Sequence, residues 1–221
     1  MELFKDKSEK YTLEVNTYLK DYLPKKEASP QVLHEAMHYA VMNGGKRIRP
    51  LLTYASAEAL DIDPLLLTPA AAAIELLHCF SLVHDDLPAM DDDDLRRGKL
   101  SLHKAFNEGI AILAADAMQS LAFHVLANDA SLNQKDDIRA SLSSLIAEAS
   151  GTSGMTGGQA LDIEAEGKTI DLKDLEHIYH LKTGKLLRAC IMAPVFYSNI
   201  NQDQISALET FITDIGLAFQ I

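Results

Sequence analysis

Cysteine and positive charge are both scarce in this chain of 221 residues. Its two cysteines, Cys79 and Cys190, each lie inside an apolar run, and we interpret both as reduced core residues of a cytoplasmic protein. Lysine and arginine number 20 against 32 aspartates and glutamates, which gives a formal net charge of −12. This balance argues against nucleic acid as a partner, because binding a phosphate backbone requires a basic face. Small anionic substrates stay open, because bound divalent cations invert the local charge.

Several familiar signatures are also missing. The first eleven residues, MELFKDKSEKY, are charged from the start and contain no apolar signal core. The sequence has no Rossmann or Walker glycine spacing, and no Ser-His-Asp or Cys-His pattern. The apolar run of residues 65–83 is the one candidate membrane span, but it contains Glu75 and His78. We interpret it as a buried core helix and expect no membrane span.

Helical periodicity dominates the sequence and strand alternation is nearly absent, which predicts one all-α domain over residues 1–221. The predicted helices span residues 11–23, 31–42, 50–60, 68–85, 109–126, 137–151, 157–166, 171–198 and 202–221. We expect bends in the eighth helix at Gly184 and Pro194. The last helix stops in an uncapped apolar pattern. We therefore expect the sequence to be a fragment that lacks the C-terminal third of a longer chain.

The most informative stretch is HDDLPAMDDDDLRRG, residues 84–98. Like charges this dense repel one another, so the stretch is either a solvated acidic loop or a cage of oxygen ligands for divalent cations. The apolar helix before it favours a metal site, because a solvated loop does not need to be attached to a buried helix. A straight helix would not place Asp85 and Asp91 on one face, but a bulge at Pro88 would bring them together. A Ca²⁺ loop of the EF-hand type fails, because no Glu lies at the required twelfth position.

Three basic clusters accompany the carboxylates. GGKRIRP, residues 44–50, places two glycines before three cations and favours close approach by an anion. The pair at residues 96–97 suggests a second anion. The third cluster, residues 182–185, is by itself equally compatible with an anion site and with a solvated turn. His78 precedes Asp85 by two helical turns and shares its face, which favours a phosphate ligand over an ordinary core histidine.

Together these segments resemble the short-chain trans-isoprenyl diphosphate synthases, and most closely the bacterial farnesyl diphosphate synthases. The resemblance covers essentially the whole chain. It rests on GGKRIRP, DDLPAMDDDDLRRG, GGQALD, KTG and GLAFQ, at residues 44–50, 85–98, 157–162, 182–184 and 216–220. It implies an isoprenoid synthase-type helical bundle around a central apolar cavity, working as a homodimer. It also implies Mg²⁺-dependent head-to-tail condensation of isopentenyl diphosphate with dimethylallyl or geranyl diphosphate, with Mn²⁺ as a substitute metal.

The resemblance assigns roles residue by residue. The isopentenyl diphosphate site would be formed by Lys46, Arg49, His78 and Arg97. The metal ligands would be Asp85, Asp86 and Asp91. The allylic diphosphate site would be formed by Arg96, Lys182, Thr183 and Gln220, and the same cavity would be lined by Gln159 and Asp162. The residues expected to take part in catalysis are Asp85, Asp91, Arg96, Lys182 and Thr183.

Product length is the last inference from the resemblance. Phe80 lies five residues before Asp85, roughly 7–8 Å along a helix axis, and an aromatic ring there resembles the farnesyl-producing pattern. We expect Phe80, with Ser81 beside it, to form the floor of the product pocket, although either residue is also compatible with ordinary core packing.

Of three alternatives to a farnesyl diphosphate synthase, two stay open and one is disfavoured. One is a geranylgeranyl product made by the same chemistry. Another is a non-catalytic prenyltransferase-like subunit, because the family's second aspartate motif would begin just beyond Ile221. A terpene cyclase is disfavoured, because it needs no second diphosphate site of the GGKRIRP kind.

Overall fold

The computed structural model describes residues 2–132 and 135–218, and this part of the chain is almost entirely helical. The α-helices are α1 Glu2–Tyr22, α2 Gln31–Met42, α3 Ile48–Ala59, α4 Thr68–Asp85, α5 Leu102–Ala105, α6 Glu108–Asn128, α7 Asp136–Ser150, α8 Met155–Ala165, α9 Leu172–Tyr179, α10 Lys185–Met192 and α11 Gln202–Ala218. Short 3₁₀ turns span Pro64–Leu67, Ala130–Leu132 and Ala193–Tyr197, and His180–Gly184 is π-helical. The predicted all-α fold is confirmed.

Two differences from the predicted elements stand out. Helix α1 begins at Glu2, nine residues before the predicted start at Tyr11, because the charged first turns carry no apolar periodicity. A small hairpin follows the acidic stretch, in which β1 Leu95–Arg96 pairs antiparallel with β2 Lys99–Leu100. Strands of two residues are too short to show alternation, so the sequence did not predict them.

The long predicted helix of residues 171–198 departs from regular α-helix at the two positions where bends were expected. The π-helical segment ends at Gly184, and the 3₁₀ turn Ala193–Tyr197 contains Pro194. A π-helical segment and a 3₁₀ turn each change the sequence spacing of the backbone hydrogen bonds. The KTG segment is therefore a local departure from α-helical hydrogen bonding within a continuous helix.

Backbone contacts divide the chain into two compact units. The first comprises residues 1–51 and 71–128, and the second comprises residues 52–70 and 129–221. We describe each by itself, and the single synthase domain over residues 1–221 stays a prediction. The acidic stretch and the GGKRIRP loop both lie in the first unit.

Helix α4 supplies the core of the first unit. Ile74, Leu76 and Leu77 are fully buried, as are the alanines of residues 71–73. A helix that is apolar on all sides is stable only when it is buried on all sides. Among the described residues, Pro64–Asp85 and Glu108–Asn128 are long and apolar enough to cross a membrane, and 78% of the first window is buried inside the protein against 39% of the second. The sequence prediction identified only the first of these segments.

The second unit has its own apolar core between α10 and α11. Leu187, Ile191 and Met192 pack against Ile212. Ser56 donates its hydroxyl to the carbonyl oxygen of Ile191 at 2.8 Å, which ties the end of α3 to α10 within this unit. The KTG segment therefore continues into a helix that is fixed by packing.

Candidate functional site

The acidic stretch begins where α4 ends. Asp85 is the last residue of α4, and the chain turns back over Pro88 so that the backbone N–H of Asp91 donates to the carbonyl oxygen of Asp85 at 2.9 Å. This is the bulge that the sequence analysis required. It makes neighbours of two carboxylate-bearing residues that a straight helix would separate.

Arg96 binds the next carboxylate. Its Nε donates to both oxygens of Asp86, at 2.9 and 3.2 Å, and its Nη2 donates to Asp86 and to Asp93. Asp86 is only 2% exposed. These hydrogen bonds raise the pKa of Arg96 further above its usual value. Asp86 thus already has a cation of the chain as its partner, and its assignment as a metal ligand stays a prediction.

Lys104 neutralises two further carboxylates of the stretch. Its Nζ lies 2.8 Å from Asp94 Oδ1 and 4.0 Å from Asp92 Oδ1. Among the described residues no ion pair involves Asp91, whose side chain is exposed. The carboxylate of Asp91 therefore faces solvent.

These residues suit a cation that also takes ligands from a substrate. In the described part of the chain no three His, Cys, Asp or Glu side chains converge on one point. Mg²⁺ keeps several waters and is commonly bound through one or two carboxylates plus substrate phosphates. Asp85 and Asp91 carry hard oxygen donors of that kind, and their assignment as metal ligands stays a prediction.

The GGKRIRP loop turns sharply and contacts the second arginine of the RRG segment. Gly44 and Gly45 have φ values of 87° and 118°, a region that favours glycine. Arg97 donates through Nη1 to the carbonyl oxygen of Gly44. A Cβ at Gly45 would lie 2.6 Å from Cζ of Arg97, so the guanidinium packs directly on the glycine backbone. Lys46 follows and is exposed.

His78 lies within the field of this basic group. Burial lowers its pKa well below the usual value of 6.5, and the charges of Arg49 and Arg97 lower it further, with smaller effects from Arg47 and Arg96. The imidazole is therefore neutral at pH 7. The structure thus brings His78, Arg49 and Arg97 into one electrostatic cluster beside the loop that carries Lys46.

The proposed product-length residues lie on the same helix. Phe80 is 8% exposed, and its ring centroid lies 4.6 Å from that of His84, tilted by 57°. The hydroxyl of Ser81 donates to the carbonyl oxygen of His78 at 3.0 Å. Both residues are held by contacts within α4, and their role in product length stays a prediction.

The second unit holds the other predicted cluster. Lys182 lies in the π-helical segment with Thr183, and its Nζ donates to Asp162 Oδ2 of α8 at 2.6 Å. A Cβ at Gly158 would lie 2.2 Å from the backbone nitrogen of Lys182. The glycine of GGQALD is thus required for close approach of α8 to the KTG segment.

Two further predicted residues complete the inventory. The side-chain oxygen of Gln159 is buried and has no hydrogen-bond partner among the described residues. Gln220 lies outside the described residues. Sequence reasoning missed one feature of the first unit. Arg47, counted among the three cations of GGKRIRP that favour an anion, is buried and forms an ion pair with Glu75. The charged Glu75 inside an otherwise apolar helix was the available signal.

Comparison with known proteins gives consistent results. The polyprenyl synthetase family matches residues 30–221. Farnesyl diphosphate synthase of Geobacillus stearothermophilus is 44% identical over 207 residues, 94% of this chain and 69% of that protein. Farnesyl diphosphate synthase of Escherichia coli is 46% identical over 188 residues, 85% of this chain and 63% of that protein. The chain therefore spans 63 to 69% of the length of these two relatives.

A solved structure gives the same result. The apo structure of an FPP/GFPP synthase from Zymomonas mobilis matches with a TM-score of 0.92 at 40% sequence identity. The match covers 98% of this chain and 78% of the other. The predicted resemblance and the isoprenoid synthase fold are both confirmed.

Proposed function

This chain belongs to the polyprenyl synthetase family, and from that premise we propose that it condenses isopentenyl diphosphate head to tail with dimethylallyl or geranyl diphosphate, giving farnesyl diphosphate. The observation that carries the proposal is the backbone hydrogen bond from Asp91 to Asp85, which makes neighbours of two carboxylate-bearing residues in the unit that also holds the arginine cluster around His78. Similarity to farnesyl diphosphate synthases of two bacteria supports the product.

Asp85 and Asp91 would hold the Mg²⁺ ions, or Mn²⁺ in their place, and Asp86 is proposed beside them through its pairing with Arg96. Bound Mg²⁺ acts as a Lewis acid that neutralises the leaving diphosphate. As the family resemblance implies, Arg96 and Lys182 would serve the allylic diphosphate as fixed cations, which stabilise charge most where it develops.

The isopentenyl diphosphate would be held by Lys46, Arg49, His78 and Arg97. Arginine offers a two-pronged contact to a phosphate, lysine a point charge, and the neutral imidazole a single N–H donor. His78 suits that role because its lowered pKa keeps it neutral while it lies among arginines. The basic group therefore binds a diphosphate without needing to change its own protonation.

The proposed steps balance without a further co-reactant. The allylic C–O bond breaks and the diphosphate leaves with the electron pair. The double bond of isopentenyl diphosphate attacks the resulting cation and forms a new C–C bond. A proton then passes to the departed diphosphate. Thr183, inside the π-helical segment, and Gln220 are proposed to stabilise the cation with their oxygens.

The test is a Mg²⁺-dependent assay of the 221-residue chain with isopentenyl and geranyl diphosphates, followed by chromatographic sizing of the product. A single farnesyl-length product that disappears when EDTA is added is the expected result. No turnover with any allylic diphosphate, at any Mg²⁺ concentration, would contradict catalysis by this chain and favour the non-catalytic subunit.

A longer product is the second candidate. It is supported by the similarity to the Zymomonas mobilis FPP/GFPP synthase. The same product sizing separates the candidates, because geranylgeranyl or longer chains elute apart from farnesyl.

We further propose that two copies pair through α6 in a cytoplasmic homodimer. Ile112 and Leu113 of α6 are 42% and 55% exposed, and a second copy of the same face would cover them. Burial raises the pKa of Cys79 to about 12, which keeps the thiol protonated and suits a reducing compartment. In light scattering, Leu113→Glu should halve the mass, whereas Leu172→Glu, at a leucine 70% exposed on α9, should not.

A further inference from the structure

We propose that Arg47 and Glu75 are a positioning pair for the isopentenyl diphosphate site. Neither residue would touch the substrate. Their buried ion pair holds the GGKRIRP loop in the shape that presents Lys46, Arg49 and Arg97. This inference rests on the proposed function, because it assigns a purpose to the geometry of the same binding site.

Arg47 faces the interior although it stands between exposed and half-exposed neighbours. It is 3% exposed, while Lys46 is exposed. Its Nη1 donates to Glu75 Oε1 at 2.8 Å and its Nε to Asn16 Oδ1 at 2.8 Å. Its Nη2 donates to the carbonyl oxygen of Val41 at 2.6 Å. One guanidinium thus ties the loop to α1, α2 and α4.

The loop needs such an anchor because its backbone is unfavourable. Gly44, Gly45 and Arg47 all have positive φ, and the value for Arg47 is 49°. A non-glycine residue in this region is strained and persists only where its surroundings hold it there. The three hydrogen bonds of Arg47 provide that constraint. Without them, Arg47 would return to ordinary backbone geometry, and the residue on either side of it would turn with it.

The same turn places a third cation. The carbonyl oxygen of Gly44 accepts from Arg97 Nη1, and the guanidinium of Arg97 packs on Gly45. A change in the turn therefore moves Arg97 as well as Lys46. The effect of losing the pair should consequently fall on one diphosphate site.

Glu75 adds the counter-charge that this site requires. It is 1% exposed and lies one helical turn before His78 on α4. Its Oε2 is buried and accepts no hydrogen bond from any described residue, and its Oε1 forms the ion pair with Arg47. Four arginines act on His78, and an anion buried beside them lowers the repulsion among them before substrate arrives.

The ion pair is a costly way to obtain stability alone. Replacing a buried ion pair by apolar side chains of similar volume is often neutral or stabilising. An apolar pair, however, cannot donate to Val41 or Asn16 and cannot hold Arg47 at its φ of 49°. This difference separates a positioning role from a purely structural one.

The test compares the double variant Arg47→Met, Glu75→Leu with wild type in the proposed condensation. The melting temperature should stay near that of wild type. The KM for isopentenyl diphosphate should rise about tenfold or more, as when an outer partner of a binding residue is lost. The KM for the allylic substrate and kcat at saturation should stay within about twofold. The control is Arg188→Met, Glu209→Leu, which removes a half-exposed ion pair of the second unit and should change neither KM.

Two outcomes overturn the inference. One is an unchanged KM for isopentenyl diphosphate in a folded double variant. The other is a lowered kcat with both KM values altered, which indicates general structural damage. If the double variant does not fold, Asn16→Ala removes one contact of Arg47 from a partly exposed position and should raise the same KM by a smaller factor. No rise in that variant also overturns the inference.

Failure of the proposed function is recognised separately. An inactive wild-type chain contradicts the proposed reaction but leaves a binding measurement. Calorimetry with inorganic pyrophosphate should then show about tenfold weaker binding to the double variant than to wild type. Equal binding to both overturns the positioning role.

Discussion

The backbone N–H of Asp91 donates to the carbonyl oxygen of Asp85 at 2.9 Å. The bond forms just after α4 ends, where Pro88 prevents the helix from continuing. It makes neighbours of two residues that lie six apart in the chain. Asp86 and Asp93 pair with Arg96, and Asp92 lies 4.0 Å from Lys104. We propose that metal binding depends on Asp85 and Asp91.

Asp85→Asn should lower kcat by about a hundredfold or more, because an amide cannot replace a charged metal ligand in stabilising the leaving diphosphate. The helical circular dichroism should stay unchanged. Asp92→Asn is the matched control, since Asp92 lies 4.0 Å from Lys104 and has no proposed contact with metal. Turnover in Asp85→Asn at the level of this control would remove Asp85 from the metal site.

Most helices were predictable because the pattern that defines each one is local. Helix α2 has the predicted bounds, Gln31–Met42, and α4 begins at the predicted Thr68. The turn within the acidic stretch could also be predicted, since a helix does not continue through the proline at position 88. Family resemblance supplied the residue roles, which periodicity does not contain.

The rest depended on contacts between distant parts of the chain. Nothing local distinguishes the buried Arg47 from the exposed Lys46, because their directions are set by three left-handed residues and by a partner on α4. Likewise the pairing of Arg96 with Asp86 depends on the short hairpin that carries Arg96. Such contacts determine the direction in which a side chain points, and the hydrophobic pattern of the sequence does not record them.

Lys182→Ala should raise the KM for the allylic diphosphate about tenfold or more and leave the KM for isopentenyl diphosphate nearly unchanged. The expected cause is loss of the cation held in the π-helical segment, where Asp162 orients it at 2.6 Å. Steady-state kinetics with each substrate varied in turn provides the measurement.

Lys185→Ala is the matched control for this variant. Lys185 lies three residues later and is 3.8 Å from Glu148, so its charge is directed to a different partner. Equal effects of the two substitutions, or an effect of Lys182→Ala on isopentenyl diphosphate alone, would refute the assignment of Lys182 to the allylic site.

Phe80→Ala should lengthen the product, because removing a buried ring at this position deepens the proposed pocket so that it holds a longer prenyl chain. The substitution should also destabilise the fold by about 3–5 kcal/mol, as for other buried phenylalanines. Product chromatography at a temperature below the transition measures the first effect and thermal unfolding the second. Phe106→Ala, which removes a ring that contacts Tyr39 instead, should leave product length unaltered. A product no longer than that of wild type would show that Phe80 is ordinary core.

The lowered pKa of His78 predicts how stability depends on pH. The folded protein keeps this imidazole neutral, because burial and the nearby arginines oppose its charge, while the unfolded chain protonates it near pH 6.5. Below that pH the unfolded state binds more protons, so this histidine makes the free energy of unfolding fall by up to about 1.4 kcal/mol per pH unit until the folded pKa is reached.

Removing the titrating group should therefore flatten the acid side of the stability curve. His78→Gln keeps an N–H donor but carries no titratable group, so its melting temperature should fall less than that of wild type between pH 7 and pH 5. His124→Gln, at an exposed histidine of α6, is the control and should follow wild type. Inorganic pyrophosphate should narrow the difference between His78→Gln and wild type, because an anion beside the arginines favours the imidazolium. Parallel pH profiles for wild type and His78→Gln would mean that His78 titrates normally and does not lie in the field of the arginines.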